Sequence, residues 1–367
     1  HKKSGDNKKR FVEAAALAHE MPQTVWPYKR SHDPDEDNEY ETELDYSSYI
    51  KDESTGEEIE DESGLIDYTG LKQRIFSVIK EGDRVGKEIS LKNFSEVFRF
   101  KGTGILTITG IPGSGKTEFS DQIAIDLARL YDESSLIVGF EQSPEEHLIK
   151  LSRKALGLDI TCPSYWSDKK NVEMIDKVVD KITSLIKHID TSKVGGEINT
   201  ILKAAAEWVL AEREQGKNPR YVYIDPFNML SIKGKLNGHE KIEEILRRVT
   251  MFSHKMGVMV ILIAHPYKMK RDEKTGAYEI PDFYSVKGTS AFFEMSYHGL
   301  CVYRKGGAGG TETLVRVLKV KQNNLGVAGA DVFFNYIKAS GRYVPLDDEG
   351  CELQGDHYQK DWFNLSN

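Results

Sequence analysis

Apolar residues along this chain follow two alternating patterns. One is a short, unbroken run of β-branched and aliphatic residues, the signature of a strand buried on both faces. Residues 105–109 (Ile-Leu-Thr-Ile-Thr), 135–140, 220–225 and 257–264 have this form. The other repeats at three- and four-residue intervals, as the buried face of a helix does. Phe119, Ile123, Ile125, Leu127 and Leu130 show it, and residues 147–156, 172–189, 198–213 and 240–256 continue it. Strand and helix patterns alternate from residue 104 to 264, which predicts an α/β fold. Its expected form is a doubly wound, mostly parallel sheet of five parallel strands with flanking helices. Residues 300–304 and 312–321 add two strands joined by a Gly-rich turn, and residues 331–334 with Tyr343 suggest a closing hairpin. Upstream, Leu71, Ile75, Val78 and Ile79 predict one amphipathic helix, and Leu91, Phe94, Val97 and Phe98 another.

The pattern fails between residues 31 and 63, and charge explains why. That segment holds 15 Asp and Glu against one Lys, a net of −14, so the remaining chain carries +6 of the total −8. Few apolar anchors and one sign of charge predict a disordered acidic segment. It reads as a solvated tether, or as an acidic arm for a basic partner. The expected organisation is therefore a tail at 1–30 (with an Ala-rich helix, read as the remnant of an upstream domain), an acidic linker at 31–63, a helical lead-in at 64–103, the core at 104–345 and a C-terminal tail at 346–367. No run of about 18 apolar residues occurs, which argues against a membrane span. Cys162, Cys301 and Cys351 lie far apart, form no zinc spacing and leave an odd count, as expected in a reducing, cytoplasmic setting.

The chemistry is concentrated at strand ends. Residues 110–117, Gly-Ile-Pro-Gly-Ser-Gly-Lys-Thr, match the phosphate-loop motif at every fixed position and sit between a strand and a helix. Gly110, Pro112, Gly113, Ser114 and Gly115 let successive backbone N–H groups converge on a phosphate, and the following helix, with Glu118 in its first turn, adds its positive end. Lys116 can reach β- and γ-phosphates, and Thr117 can ligate Mg²⁺. Three later strands end in a polar residue: Glu141, Asp225 and His265. On the ligand-binding rim of an open α/β sheet these can orient water, hold Mg²⁺ and sense the γ-phosphate. Singly, each is also explained as a cap, a common strand-end Asp or a satisfied His. Lys233 and Lys235 in one loop, and Lys268, Lys270, Arg271 and Lys274 in another, are candidate contacts to a phosphodiester backbone. A solvated charged loop is the plain alternative.

In this order the motifs resemble a RecA-type core, and more specifically the hexameric replicative DNA helicases of the DnaB/Twinkle family, including the helicase half of phage primase-helicases. The resemblance covers residues 65 to 345. It rests on Phe140 to Leu148, on Tyr223-Ile-Asp225-Pro-Phe, on Ala264-His-Pro-Tyr-Lys268, on Lys287 to Glu294 and on Val320 to Gly326. It implies that Glu141 polarises water, Asp225 holds Mg²⁺, His265 is a sensor, and Arg304 and Tyr336 sandwich the base. It further implies ATP or a dNTP as cofactor with Mg²⁺, a hexamer on single-stranded DNA, 5′ to 3′ polarity, and a primase region or replication protein engaged through the N-terminal segment. A phage origin with the host cytoplasm as its location is the corresponding setting. The family's trans-acting arginine position is Asn323 here. Lys321 is the expected replacement, with Lys319 and Arg316 as alternatives, although a point charge does not reproduce a guanidinium fork. Rival readings are a RecA-like recombinase or mediator on single-stranded DNA, a weak ATPase scaffold in a replication complex, and a small-molecule P-loop kinase.

Overall fold

The computed structural model describes residues 71–80, 86–267, 269, 271, 278–286, 290–347 and 349–353. The expected tail at 1–30, the acidic linker at 31–63 and most of the C-terminal tail lie outside these residues. So do Lys268, Lys270 and Lys274.

Among the described residues one sheet is built from β1 (Gly104–Thr109), β2 (Glu133–Gly139), β3 (Ile186–His188), β4 (Asn218–Asp225), β5 (Met259–Ala264), β6 (Ser296–Arg304), β7 (Glu312–Val320), β8 (Asp331–Ile337) and β9 (Arg342–Leu346). Their spatial order is β3-β2-β4-β5-β1-β6-β7-β8-β9. The strands from β3 to β6 pair in parallel, and β7, β8 and β9 close the sheet antiparallel. The expected mostly parallel sheet with flanking helices is borne out, with six parallel strands where five were expected.

Alternation along the central strands feeds two cores. Leu106 and Ile108 of β1 and Tyr221 and Tyr223 of β4 face one core, with α3 (Lys116–Tyr131), α4 (Pro144–Leu156) and α5 (Lys169–Leu185) packed over it. Ile105, Val222 and Ile224 face the other, beneath α7 (Ile198–Glu214), α8 (Gly238–Met256) and α9 (Ala291–Met295), with the short α6 (Thr191–Val194) following β3. Burial on both faces is why these strands read as unbroken apolar runs.

The helix expected over 172–189 ends at Leu185, and Ile186–His188 turns into β3 against β2. Ile182, Leu185 and Ile186 are all buried, so one apolar stretch serves first a helix and then a strand. Three residues are too few to show a period of two. Upstream, α1 (Leu71–Lys80) leaves Ile75 and Phe76 exposed. The second expected helix forms as α2 (Lys92–Val97), with Leu91 and Phe98 extended at its ends. Its segment is part of the core: Phe94 packs its ring on Phe98, Phe100 and Phe119, at 5.6, 6.2 and 5.3 Å.

Candidate nucleotide site

The site lies on the rim formed by the C-terminal ends of β1, β2, β4 and β5. At the end of β1 the backbone turns through residues that only glycine accommodates. A Cβ on Gly110 (φ 152°) would sit 2.1 Å from the Val302 carbonyl oxygen, and one on Gly115 (φ 90°) 2.3 Å from Arg304 Nη2. Ser114 is fully buried and its Oγ has no hydrogen-bond partner among the described residues, whereas Pro112 and Gly113 are exposed. This is the cradle an anionic phosphate fits, at the start of the sixteen-residue α3.

Lys116 is buried, and its ammonium donates to the carbonyls of Gly110 (2.9 Å) and Ile111 (3.1 Å). Burial lowers its pKa to about 8, while the charges of Asp225 and Glu141 pull it back up. The Thr117 hydroxyl donates to Asp225 Oδ2 at 2.6 Å. Asp225 is raised to about 6 by burial, against the bond from Thr117. Glu141 follows β2, whose last residue Gly139 is in register with Asp225, and the Phe140 N–H donates to the Asp225 carbonyl at 3.0 Å. Its side chain is 59% exposed and lies 3.9 Å from His265 Nε2. Burial and the charge of Lys116 lower the His265 pKa, so its imidazole is neutral near pH 7. Lys116, Thr117, Glu141, Asp225 and His265 are thus brought together. Beside them opens a cavity of about 450 Å³ that reaches Asp121, His147 and His188.

The residues fit Mg²⁺. Thr117 and Asp225 offer two adjacent oxygen donors, and Mg²⁺ completes its shell with phosphates and water. Among the described residues no cluster of three or more His, Cys, Asp or Glu could hold a metal ion alone, so the ion and a nucleotide would bind together.

On the other side of the loop, Arg304 is 5% exposed and stacks on the Tyr336 ring at 4.0 Å. These two are in direct contact, which leaves no space for a base between them; a base fits only if they part or if it stacks outside the pair. Tyr343, expected from the sequence only as part of the closing hairpin, accepts from Arg304 (3.0 Å) and donates to the Gly115 carbonyl (3.2 Å). It props the phosphate loop from β9, 228 residues away. Glu118 faces Lys150 and the fully buried Lys154, at 3.6 and 3.5 Å. Burial and the charge of Glu118 push the Tyr336 hydroxyl pKa well up.

Lys321 is elsewhere. It follows β7 at the end of the strands opposite the phosphate loop, where its N–H donates to the Tyr297 carbonyl at 3.0 Å. There it lies over the Tyr297 ring at 3.7 Å. Lys319 bonds the Phe293 carbonyl, and Arg316 forms a double ion pair with Asp331 at 2.7 Å. None of the three reaches the site of its own chain. Lys233 and Lys235 are exposed before α8, and Arg271 lies 4.7 Å over the Tyr278 ring.

Comparison with known proteins gives these features a context. The family model described as "ATPase: KaiC" matches residues 90–320. A Twinkle homolog of Arabidopsis thaliana, described as chloroplastic/mitochondrial, is 23% identical over 273 residues, 71% of this chain. The chain spans 37% of that relative's length. A solved ATPase domain is covered along its whole length by 77% of this chain, with a TM-score of 0.62 and 16% identity. A DnaB-like replicative helicase, solved in a study of its interactions with primase, has a TM-score of 0.60 and 17% identity over 77% of this chain and 67% of its own. The resemblance drawn from the motifs agrees with all four. No helix among the described residues is long and apolar enough to cross a membrane.

Proposed function

The chain belongs to the KaiC family of ATPases, and from that premise we propose that it is the motor core of a replicative DNA helicase that hydrolyses ATP or a dNTP. The observation that carries this reading is the convergence of Lys116, Thr117, Glu141, Asp225 and His265 on one rim. Lys116, released from the Gly110 and Ile111 carbonyls, binds the terminal phosphates. Thr117 and Asp225 hold Mg²⁺, which when bound neutralises charge developing on those phosphates. Glu141, the most exposed acid of the set, accepts a proton from the attacking water. Neutral His265, 3.9 Å away, relates the state of the γ-phosphate to the loop that follows it.

Lys321 acts, on this reading, on the nucleotide of a neighbouring copy in a hexameric ring, because its position at the strand ends opposite the phosphate loop allows no role within its own site. Lys233, Lys235 and Arg271, with Lys268, Lys270 and Lys274, hold single-stranded DNA through its phosphates, so binding weakens with salt. By likeness to the DnaB/Twinkle helicases, translocation on this reading is 5′ to 3′. The commitment of Arg316 to Asp331 favours one second reading, a weak ATPase that scaffolds a replication complex.

The test is strand displacement on a forked duplex. The helicase reading predicts ATP-dependent displacement from a 5′ tail, lost in Glu141→Gln. Tight binding to the fork with no displacement by the assembled ring would reject it in favour of the scaffold.

A further inference from the structure

Three side chains outside the proposed hydrolytic set form a continuous chain along the wall of the same cavity. Asp121 lies four residues after Thr117 on α3, hence on the same helix face, and is 3% exposed. Its Oδ1 is 2.9 Å from His147 Nε2, and its Oδ2 is buried without a hydrogen-bond partner among the described residues. His147, 7% exposed, sits in the first turn of α4. Its Nδ1 is 2.8 Å from Nε2 of the half-buried His188, and the two rings meet edge to face at 5.0 Å. His188 ends β3, opposite Ile137 of β2.

The protonation pattern follows from these contacts. Burial disfavours a charge on His147, but the charge of Asp121 and its hydrogen bond prevail and raise the pKa. Burial and the charge of His147 push His188 down to about 4. An imidazolium at His147 donates from both nitrogens, to Asp121 and to neutral His188, and a ring that donates twice is fixed in orientation.

We propose that the Asp121–His147–His188 chain is the clamp that positions Glu141, with His147 as its central positioning residue. The proposal rests on the reading of Glu141 as the residue that activates water. Glu141 lies in the three-residue link, 140–142, between the end of β2 and the Ser143 cap of α4. The strand side of that link is tied to β4 through Phe140 and Asp225. The far end of α4 is tied to β9, where Arg342 donates to the carbonyls of Lys154 (2.6 Å) and Ala155 (2.7 Å). The Ser143–Glu146 capping box shapes the near end but bonds it only to itself. His147 joins that near end to α3, the helix that carries Lys116 and Thr117. It therefore sets the distance from Glu141 to the phosphate loop, and a displacement of about 1 Å at such a group costs about 100-fold in rate.

The test measures steady-state ATP turnover and, separately, nucleotide affinity on the full chain. His147→Leu is expected to lower kcat by about 10–100-fold while leaving nucleotide affinity and KM within about twofold. His147→Gln, which can still donate to Asp121, should recover most of the loss. Asp121→Asn combined with His147→Leu should be no worse than the poorer single change, because both break one chain. His188→Ala, at a half-buried position, should lower kcat less and leave KM unchanged. If His147→Leu does not fold, the His188 variant decides, and unchanged kcat in His188→Ala overturns the clamp. Turnover in His147→Leu within about twofold of wild type overturns it as well, as does a parallel loss of affinity and kcat. A wild type without any turnover overturns the reading of Glu141 itself, a result distinct from the others.

Discussion

Replacing Asp225 by Asn separates what this carboxylate costs the fold from what it does in the site. Its pKa is raised from 3.8 to about 6 by burial, against the hydrogen bond from Thr117. The folded value exceeds the unfolded one, so the native state holds the proton more tightly. Stability from this group is complete below pH 3.8, is lost as pH rises to about 6, and stays lost above it. A shift of this size corresponds to ~3 kcal/mol at neutral pH, at 1.36 kcal/mol per pKa unit. Asn carries no charge, has nearly the same shape, and its Oδ1 can still accept from Thr117. Without Mg²⁺ or nucleotide, Asp225→Asn should therefore be more stable than wild type at pH 7.5 by ~1–3 kcal/mol, a rise in Tm of about 3–8 °C. The difference should close near pH 4. Adding Mg²⁺ with a non-hydrolysable ATP analogue should reverse the order, because that ligand stabilises only the protein that binds it. Thermal unfolding followed by circular dichroism at both pH values checks this. An Asn variant that melts at or below wild type at pH 7.5, or a gap that does not shrink in acid, would refute the argument.

Two further predictions concern the phosphate loop. Lys116 has a folded pKa of about 8, below its ordinary 10.5 because of burial. The group's stability contribution therefore falls as pH drops from 10.5 through 8, and nucleotide affinity falls as pH rises past about 8, by about tenfold per unit until the bound pKa is reached. Fluorescent-nucleotide titration from pH 7 to about 9.5 should show this slope in wild type and a flat profile in Lys116→Met. Tyr343→Phe leaves Arg304 and the Gly115 carbonyl without their shared hydroxyl. It should cost ~1–3 kcal/mol in urea unfolding and weaken nucleotide binding several-fold.

Much of the fold and part of the site could be read from the chain because local pattern and local chemistry coincide there. The run 105–109, the glycines after it and the periodic residues of α3 are consecutive, so strand, loop and helix explain one another. Glu141, Asp225 and His265 were accessible because each ends an apolar strand, and parallel strands place their C-terminal ends on one rim. What was missed depends on distant pairing. β3 is three residues long and was absorbed into the helix before it. Tyr343 meets Gly115 across 228 residues, and His147 meets Asp121 and His188 across 26 and 41. No period or spacing joins such residues; only the closed sheet and the packing of α3 against α4 bring them together. Leu91, Phe94, Val97 and Phe98 gave a helix signal of the right place but not of the right role, since the ring contact of Phe94 with Phe119 makes the lead-in part of the core.

On the proposed function, Lys116 and Glu141 belong to one hydrolytic site that is coupled to DNA. Steady-state ATP hydrolysis by wild type, Lys116→Ala and Glu141→Gln, with and without single-stranded DNA, tests it most directly. Strong stimulation by DNA is expected in wild type, with loss of both turnover and nucleotide binding in Lys116→Ala, and loss of turnover with binding retained in Glu141→Gln. Turnover by Glu141→Gln at the wild-type rate, or wild-type turnover indifferent to DNA, would contradict it.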